Sequence, residues 1–113
     1  MKKIEAIIRP EKFEDVKSAL EEAGYAGLTV TEVEGHGKQK GVTQQWRGRK
    51  YKVELLPKMK LEVVAPSKEA DKLVKAIIKA AATGSVGDGK IFVYSIDEAY
   101  RISSGESGDK VVS

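Results

Sequence analysis

Thr83-Gly84-Ser85-Val86-Gly87-Asp88-Gly89-Lys90, followed directly by Ile91-Phe92-Val93-Tyr94, is the stretch on which the reading of this chain turns. Its glycines let the backbone reach positive φ and approach a ligand closely. Successive exposed N–H groups in such a turn cradle an anion, and Lys90 adds a positive charge on a long stem. Gly84 and Gly89-Lys90 even match the spacing of a phosphate-binding P-loop. Two requirements of that motif then fail. It needs Ser or Thr after the Lys to hold Mg²⁺, and Ile91 stands there. It also needs a following helix, whereas Ile91-Phe92-Val93-Tyr94 is β-branched and aromatic and predicts a strand. The stretch is a glycine loop that runs from a helix into a strand.

The 113 residues suit one domain spanning 1–113, with enough chain for a modest core. A hydrophobic content of 41% and a charged content of 33% are those of a folded, soluble chain. Cysteine is absent, which excludes disulfides and thiolate metal sites. No apolar run approaches the ~20 residues that span a bilayer. The N-terminus passes straight into an alternating pattern with no signal peptide, so a cytoplasmic location is expected. Net charge is +3, from 20 basic and 17 acidic residues. That is too mild to imply a nucleic-acid partner.

From Lys2 to Arg9, Ile4, Ala6 and Ile8 share one face while Glu5 and Ile7 take the other, which predicts a strand. Pro10 suits a first helical turn. Phe13, Val16, Ala19, Leu20 and Ala23 recur at helical spacing, and Gly24 ends that helix. Leu28 to Gly35 reads as a second strand and Lys58 to Val64 as a third. Pro66 stops the third, and Ser67 is a suitable N-cap for a helix carrying Leu73, Val74, Ile77, Ile78 and Ala81. The fourth strand covers Ile91 to Ile96. The tail from Ser103 is rich in Ser and Gly and is expected to be loose until Val111-Val112.

The order strand, helix, strand, strand, helix, strand predicts an α+β, ferredoxin-like βαββαβ fold: one antiparallel sheet with both helices on one face. The opposite face is expected to be aliphatic, with Ile7 among its residues, and a symmetric oligomer would cover it.

A tight hairpin joins adjacent strands with ~2–5 residues, but the link at 36–55 is far longer, and long loops in small domains are functional or disordered. It holds Lys38, Lys40, Arg47, Arg49, Lys50 and Lys52, with no acidic residue between Gly35 and Glu54. Trp46, the only tryptophan, stands beside Arg47. An aromatic next to an arginine at a loop tip is a composition suited to docking a partner.

Together these features resemble the P-II signalling family of nitrogen sensors, over nearly the whole chain. One motif is Thr83-x-x-x-Gly87-Asp88-Gly89-Lys90-Ile91-Phe92-Val93. The other is the long mobile loop at 36–55, the T-loop in this family. Gly35-x-Gly37-Lys38-Gln39-Lys40-Gly41 lies at its base and Arg47-Gly48-x-x-Tyr51 near its tip. Lys58 and Arg101 also match.

The resemblance implies a homotrimer that binds ATP or ADP in clefts between subunits, and 2-oxoglutarate together with Mg²⁺ and ATP. Gly87, Asp88, Gly89 and Lys90, in a phosphate loop at 83–90, would form the nucleotide site. Arg101 and Ser103, in a C-terminal loop and tail at 101–113, would approach from a neighbouring subunit. Thr29, Gly35, Gly37, Lys38 and Val64 would surround base and ribose. Gln39 would complete Mg²⁺ coordination, supplying what the missing Ser or Thr after Lys90 cannot. Gln39, Lys40, Gly41 and Lys58 would receive 2-oxoglutarate, with Lys58 paired to a carboxylate. Trp46, Arg47 and Tyr51 would meet partners. Those implied are an ammonium transporter docked from the cytoplasmic side of the membrane, and glutamine synthetase or other nitrogen enzymes.

Two departures stand out. Family members commonly carry a basic residue where this chain has Ser103, so Arg101 is a single guanidinium here. The tip usually reads Tyr-Arg-Gly-Ala-Glu-Tyr, and here it is Trp46-Arg47-Gly48-Arg49-Lys50-Tyr51. Tyr51 is the position uridylylated in some members, and its neighbours here are not the usual ones.

Two rival classes share this topology. A small phosphate-transfer enzyme of the nucleoside diphosphate kinase type needs a nucleophilic His. The only one is His36, between two glycines, with no orienting carboxylate set by the sequence. An RNA-binding or other nucleotide-binding module of this fold is the second. RNA readers stack bases on sheet aromatics, and Met59 to Val64 has none. The resemblance implies a signalling protein, so no enzymatic activity is expected.

Overall fold

The computed structural model describes residues 1–36 and 55–112, and the backbone of 43–46 and 49–52. Strand β1 (Lys2–Ile8) leads through a 3₁₀ turn at Pro10–Lys12 into helix α1 (Phe13–Glu22). Strand β2 (Thr29–His36) follows, then two short strands, β3 (Thr43–Trp46) and β4 (Arg49–Lys52). Strand β5 (Leu55–Ala65), helix α2 (Ser67–Ala81) and strand β6 (Gly89–Ser95) complete the domain. The main sheet has the order β2-β5-β1-β6, and every pair in it is antiparallel. This is the ferredoxin-like α+β arrangement.

The core follows from the two periodicities. Ile4, Ala6 and Ile8 of β1 and Leu61, Val63 and Ala65 of β5 are buried on one face. Val16 and Leu20 of α1, with Ala70, Leu73, Ile77 and Ala81 of α2, are the helical positions buried against them. Each large side chain fully buried there contributes ~1.5–3 kcal/mol relative to exposure. Helix α1 closes as expected: Gly24 has φ +92°, Tyr25 N–H donates to Leu20 O at 2.9 Å and Gly24 N–H to Glu21 O at 3.0 Å. This six-to-one and five-to-two pairing needs the left-handed residue that glycine supplies.

Several expectations change. Ser67 does not cap α2: it is the first helical residue, Pro66 takes the cap position, and Ser67 Oγ accepts a 3.0 Å bond from the Met1 amino group. The fold brings the chain start onto that hydroxyl, a contact that local sequence does not reveal. The third predicted strand begins earlier, at Leu55. The β2–β5 ladder runs from Thr29↔Glu62 out to His36↔Leu55, whereas β1 stops at Ile8↔Met59. The two strands thus leave the sheet as a ribbon, and Lys58 sits where β1 ends rather than at a strand start.

The link between β2 and β5 is not wholly irregular. β3 and β4 pair antiparallel, from Thr43↔Lys52 to Trp46↔Arg49, so the backbone groups on their facing edges bond to each other.

The sheet face away from the helices is not aliphatic. Strand alternation places Lys3 and Glu5 of β1, Lys60 and Glu62 of β5, and Phe92 and Tyr94 of β6 there with Ile7. Lys3 Nζ lies 3.2 Å from Glu62 Oε2 and 4.8 Å from the Tyr94 ring centre, and Tyr94 donates to Glu5 Oε2 at 3.0 Å. Glu5 beside Ile7 already puts a charge on this face within β1, and the pairing with β5 adds Lys60 and Glu62 to it.

The tail is also more ordered than its composition implies. Arg101 N–H donates to Glu106 O at 2.8 Å and Gly105 N–H to Arg101 O at 2.7 Å, with Tyr100 bridged to Ser107. Its turn carries an exposed Tyr100 and a fully exposed Ile102.

Candidate functional site

The loop between α2 and β6 is built around one carboxylate. Asp88 Oδ2 accepts from Thr83 N–H at 2.7 Å and from Gly84 N–H at 2.9 Å. Its Oδ1 accepts from the Thr83 hydroxyl and, at 3.0 Å, from Arg9 Nε. The Thr83 hydroxyl, then the Thr83 N–H, and after them Arg9 and Gly84, hold the Asp88 carboxyl far below the usual carboxylate range, against a smaller upward push from burial. Asp88 therefore closes its own loop, with its oxygens turned to the chain that surrounds it.

Two cations hold the loop from the sheet side. Arg9 donates from a terminal guanidinium nitrogen to Val86 O at 2.9 Å. Lys58, buried at the end of the β1 ladder, donates from Nζ to Gly87 O at 2.7 Å. Gly87 has φ +98°, and a Cβ on it would lie 3.3 Å from the Arg9 guanidinium. Gly89 is more constrained: its φ is +115°, and a Cβ would fall 1.8 Å from Ile7 O. Only glycine lets β6 start this close to β1.

Lys90 already belongs to β6, across from Ile7, and is exposed. A cavity of about 470 Å³ lies beside the loop, lined by Gly35, Lys58, Val86, Gly87, Gly89 and Lys90, with Ile7 and Phe92 among its apolar walls. Two ammonium-bearing side chains, glycine backbone and an apolar wall suit an anionic ligand with an organic part. Among the described residues no group of three His, Asp or Glu side chains could hold a metal, and no helix is long and apolar enough to cross a membrane.

The other sequence-predicted residues lie apart. Thr29 and Val64 line a separate cavity of about 340 Å³, with Lys3, Tyr25, Glu62 and Val112. Thr29 is on edge strand β2 and Lys90 on edge strand β6, with β5 and β1 between them. At ~4.8 Å per strand that is ~14 Å across the sheet. One chain does not bring Thr29 and Val64 to the glycine loop, whereas Gly35, expected beside them, lines the glycine-loop cavity itself. Arg101 and Ser103 are in the tail turn, and Arg101 pairs with Glu106 at 3.2 Å. Gly37, Lys38, Gln39, Lys40, Gly41 and Arg47 fall outside the described residues. Trp46 and Tyr51 are placed only by backbone, opposite Arg49 and Gln44.

Arg9 escaped the sequence reading, which treated it as the last residue of a strand. A topological signal was present. In an antiparallel pair the end of β1 lies beside the start of β6, so a basic residue just past β1 stands next to the glycine loop.

A family model described as nitrogen regulatory protein P-II matches residues 1–106. The chain is 56% identical over 112 residues to nitrogen regulatory protein P-II 2 of Methanothermobacter thermautotrophicus, covering 99% of this chain and 97% of that protein. It is 54% identical over 112 residues to nitrogen regulatory protein P-II of Rhodobacter capsulatus, covering 99% of this chain and all of that protein (100%). It is 51% identical over 112 residues to nitrogen regulatory protein P-II 1 of Escherichia coli, with the same two coverages, 99% and 100%. These are regulatory rather than catalytic proteins by name, and the glycine loop with the helix before it and the strand after it falls within the matched span. The chain belongs to the nitrogen regulatory protein P-II family, a signalling family and not one of enzymes.

Proposed function

We propose that this protein senses ATP or ADP, and 2-oxoglutarate with Mg²⁺ and ATP, and reports them to nitrogen-assimilation targets through the loop at 36–55. The observation that carries the reading is the cavity at the glycine loop. Lys58 and Lys90 line it together, beside a backbone whose Val86 and Gly87 carbonyls are taken up by Arg9 and Lys58. Phosphate is the natural guest for exposed N–H groups and an ammonium, and a second acid would suit Lys58. Bound Mg²⁺ would neutralise triphosphate charge, with Gln39 completing its coordination.

The working form would be a homotrimer. The two strands between Thr29 and Lys90, which set them ~14 Å apart across the sheet, support a site shared between copies, in which one subunit supplies the base pocket and another the phosphate loop. Tyr100 and Ile102 are exposed beside Arg101, and in the trimer this turn would meet a neighbour. Arg101 would leave Glu106 for a phosphate, with Ser103 offering a hydroxyl where relatives of this type offer a second cation.

The output would be block of an ammonium transporter by Arg47 entering its cytoplasmic mouth, with Trp46 packed around the opening. The protein would be cytoplasmic and become peripherally membrane-bound when docked. Glutamine synthetase or other nitrogen enzymes are further targets of the same loop. Ligand held at Gln39 and Lys58 would favour a loop state that does not dock. Shifting such an equilibrium almost fully takes about 5.5 kcal/mol of differential binding.

Calorimetry with ATP, ADP, and MgATP plus 2-oxoglutarate tests the reading. Binding of ATP and ADP, weakened in Lys90→Ala, is the expected result; unchanged affinity in that variant removes the phosphate-loop role. Gel filtration at the mass of a monomer would remove the shared site.

A further inference from the structure

We infer that Arg9 is a positioning residue for the anion-binding loop: it sets the Gly87 peptide from outside the site, in concert with Asp88. The inference rests on the nucleotide reading above. Arg9 lies just beyond β1 and reaches 79 positions along the chain to Asp88. Its guanidinium uses two of its donors at once, Nε on Asp88 Oδ1 at 3.0 Å and a terminal nitrogen on Val86 O at 2.9 Å. Those acceptors flank Gly87.

The consequence is geometric. A trans peptide points its N–H opposite its C=O. Holding Val86 O against Arg9 therefore turns the Gly87 N–H away from Arg9. Lys58 holds the next carbonyl, Gly87 O, at 2.7 Å. Two consecutive peptide planes are thus set by two cations, at a residue whose φ of +98° has few competitors to hold it. Asp88 meanwhile occupies the N–H groups of Thr83 and Gly84. The loop's opening N–H groups are filled by its own carboxylate, which leaves the Gly87 side to receive an external anion. Arg9 itself is spent on Asp88 and Val86, and it does not line the 470 Å³ cavity.

A lysine could reach one of these acceptors but lacks the fork to hold both. Arg9→Met should therefore weaken ATP and ADP about tenfold, and Arg9→Lys should weaken them less. Arg9→Met and Asp88→Asn should be less than additive in their effect on ATP affinity because they share the Arg9–Asp88 contact, while Asp88→Asn also weakens the Thr83 and Gly84 contacts that Arg9→Met leaves in place. Amide hydrogen exchange at Thr83 and Gly84 should speed up in Arg9→Met, while amides of β1 and β5 keep their protection. Wild-type ATP affinity in Arg9→Met, alongside a loss in Lys90→Ala, would overturn this inference and leave the nucleotide reading intact. Unchanged affinity in Lys90→Ala would strike the nucleotide reading instead. Loss of protection throughout β1 and β5 would make Arg9 a general stability residue and also overturn the inference. If Arg9→Met does not fold, Arg9→Lys carries the test, and wild-type affinity there counts against the fork.

Discussion

The ammonium of Lys58 donates a 2.7 Å hydrogen bond to the carbonyl oxygen of Gly87. One partner stands at the root of the ribbon that carries the long loop, and the other is in the glycine loop. The bond joins the two segments on which the proposed signalling depends. Whatever draws Lys58 toward a bound acid also acts on the Gly87 peptide.

Lys58→Ala should therefore do two things. It removes a charged hydrogen bond from a buried side chain, which costs about 1–3 kcal/mol in a urea melt. It should also leave transporter block intact but insensitive to 2-oxoglutarate. Block that still responds to 2-oxoglutarate in this variant would place the acid elsewhere.

Gly89→Ala should be among the most damaging single changes in the chain. Its Cβ has no room 1.8 Å from Ile7 O, and φ +115° disfavours any side chain. A loss of more than ~2 kcal/mol by denaturation is expected from such combined strain. A near-neutral result would mean that β6 can start further from β1 than it does here.

Acid should weaken the glycine loop before the core. The Asp88 carboxyl is held well below its unfolded value, chiefly by the Thr83 hydroxyl. A depressed folded value contributes stability that is fully present above the unfolded carboxylate range and is lost as pH falls through the folded value. Wild type should thus lose its advantage over Asp88→Asn progressively below about pH 4. A stability difference between the two that does not shrink on acidification would contradict the brace.

Arg47→Ala should abolish transporter block and leave ATP binding untouched, since the function proposed above gives Arg47 a role toward the transporter and none toward the nucleotide. Ammonium uptake and co-purification with membranes read this out. Continued block would show that the loop works through other residues.

Tyr51 should carry no nucleotidyl group in cells starved of nitrogen, because Arg49-Lys50 replaces the usual residues before it. Mass spectrometry of the protein from such cells is the check, and an added nucleotide on Tyr51 would overturn the expectation.

The sequence by itself determined the four strands of the main sheet, the two helices and their order, because the signals are local, but it did not show the β3–β4 pair. Ile4, Ala6 and Ile8 alternate, Leu73, Ile77 and Ala81 repeat at helical spacing, and Gly24 ends a helix wherever that helix packs. It also marked Gly87, Gly89 and Lys90, since glycine spacing beside a lysine is written along the chain. Tertiary structure decided what those residues touch. Arg9 meets Asp88 and Lys58 meets Gly87 only because antiparallel pairing brings the end of β1 to the start of β6. The sheet order puts Thr29 and Lys90 on opposite edges, and the pairing sets Glu62 of β5 and Tyr94 of β6 beside Lys3 and Glu5 of β1. Such contacts join positions distant along the chain, and no local periodicity encodes them.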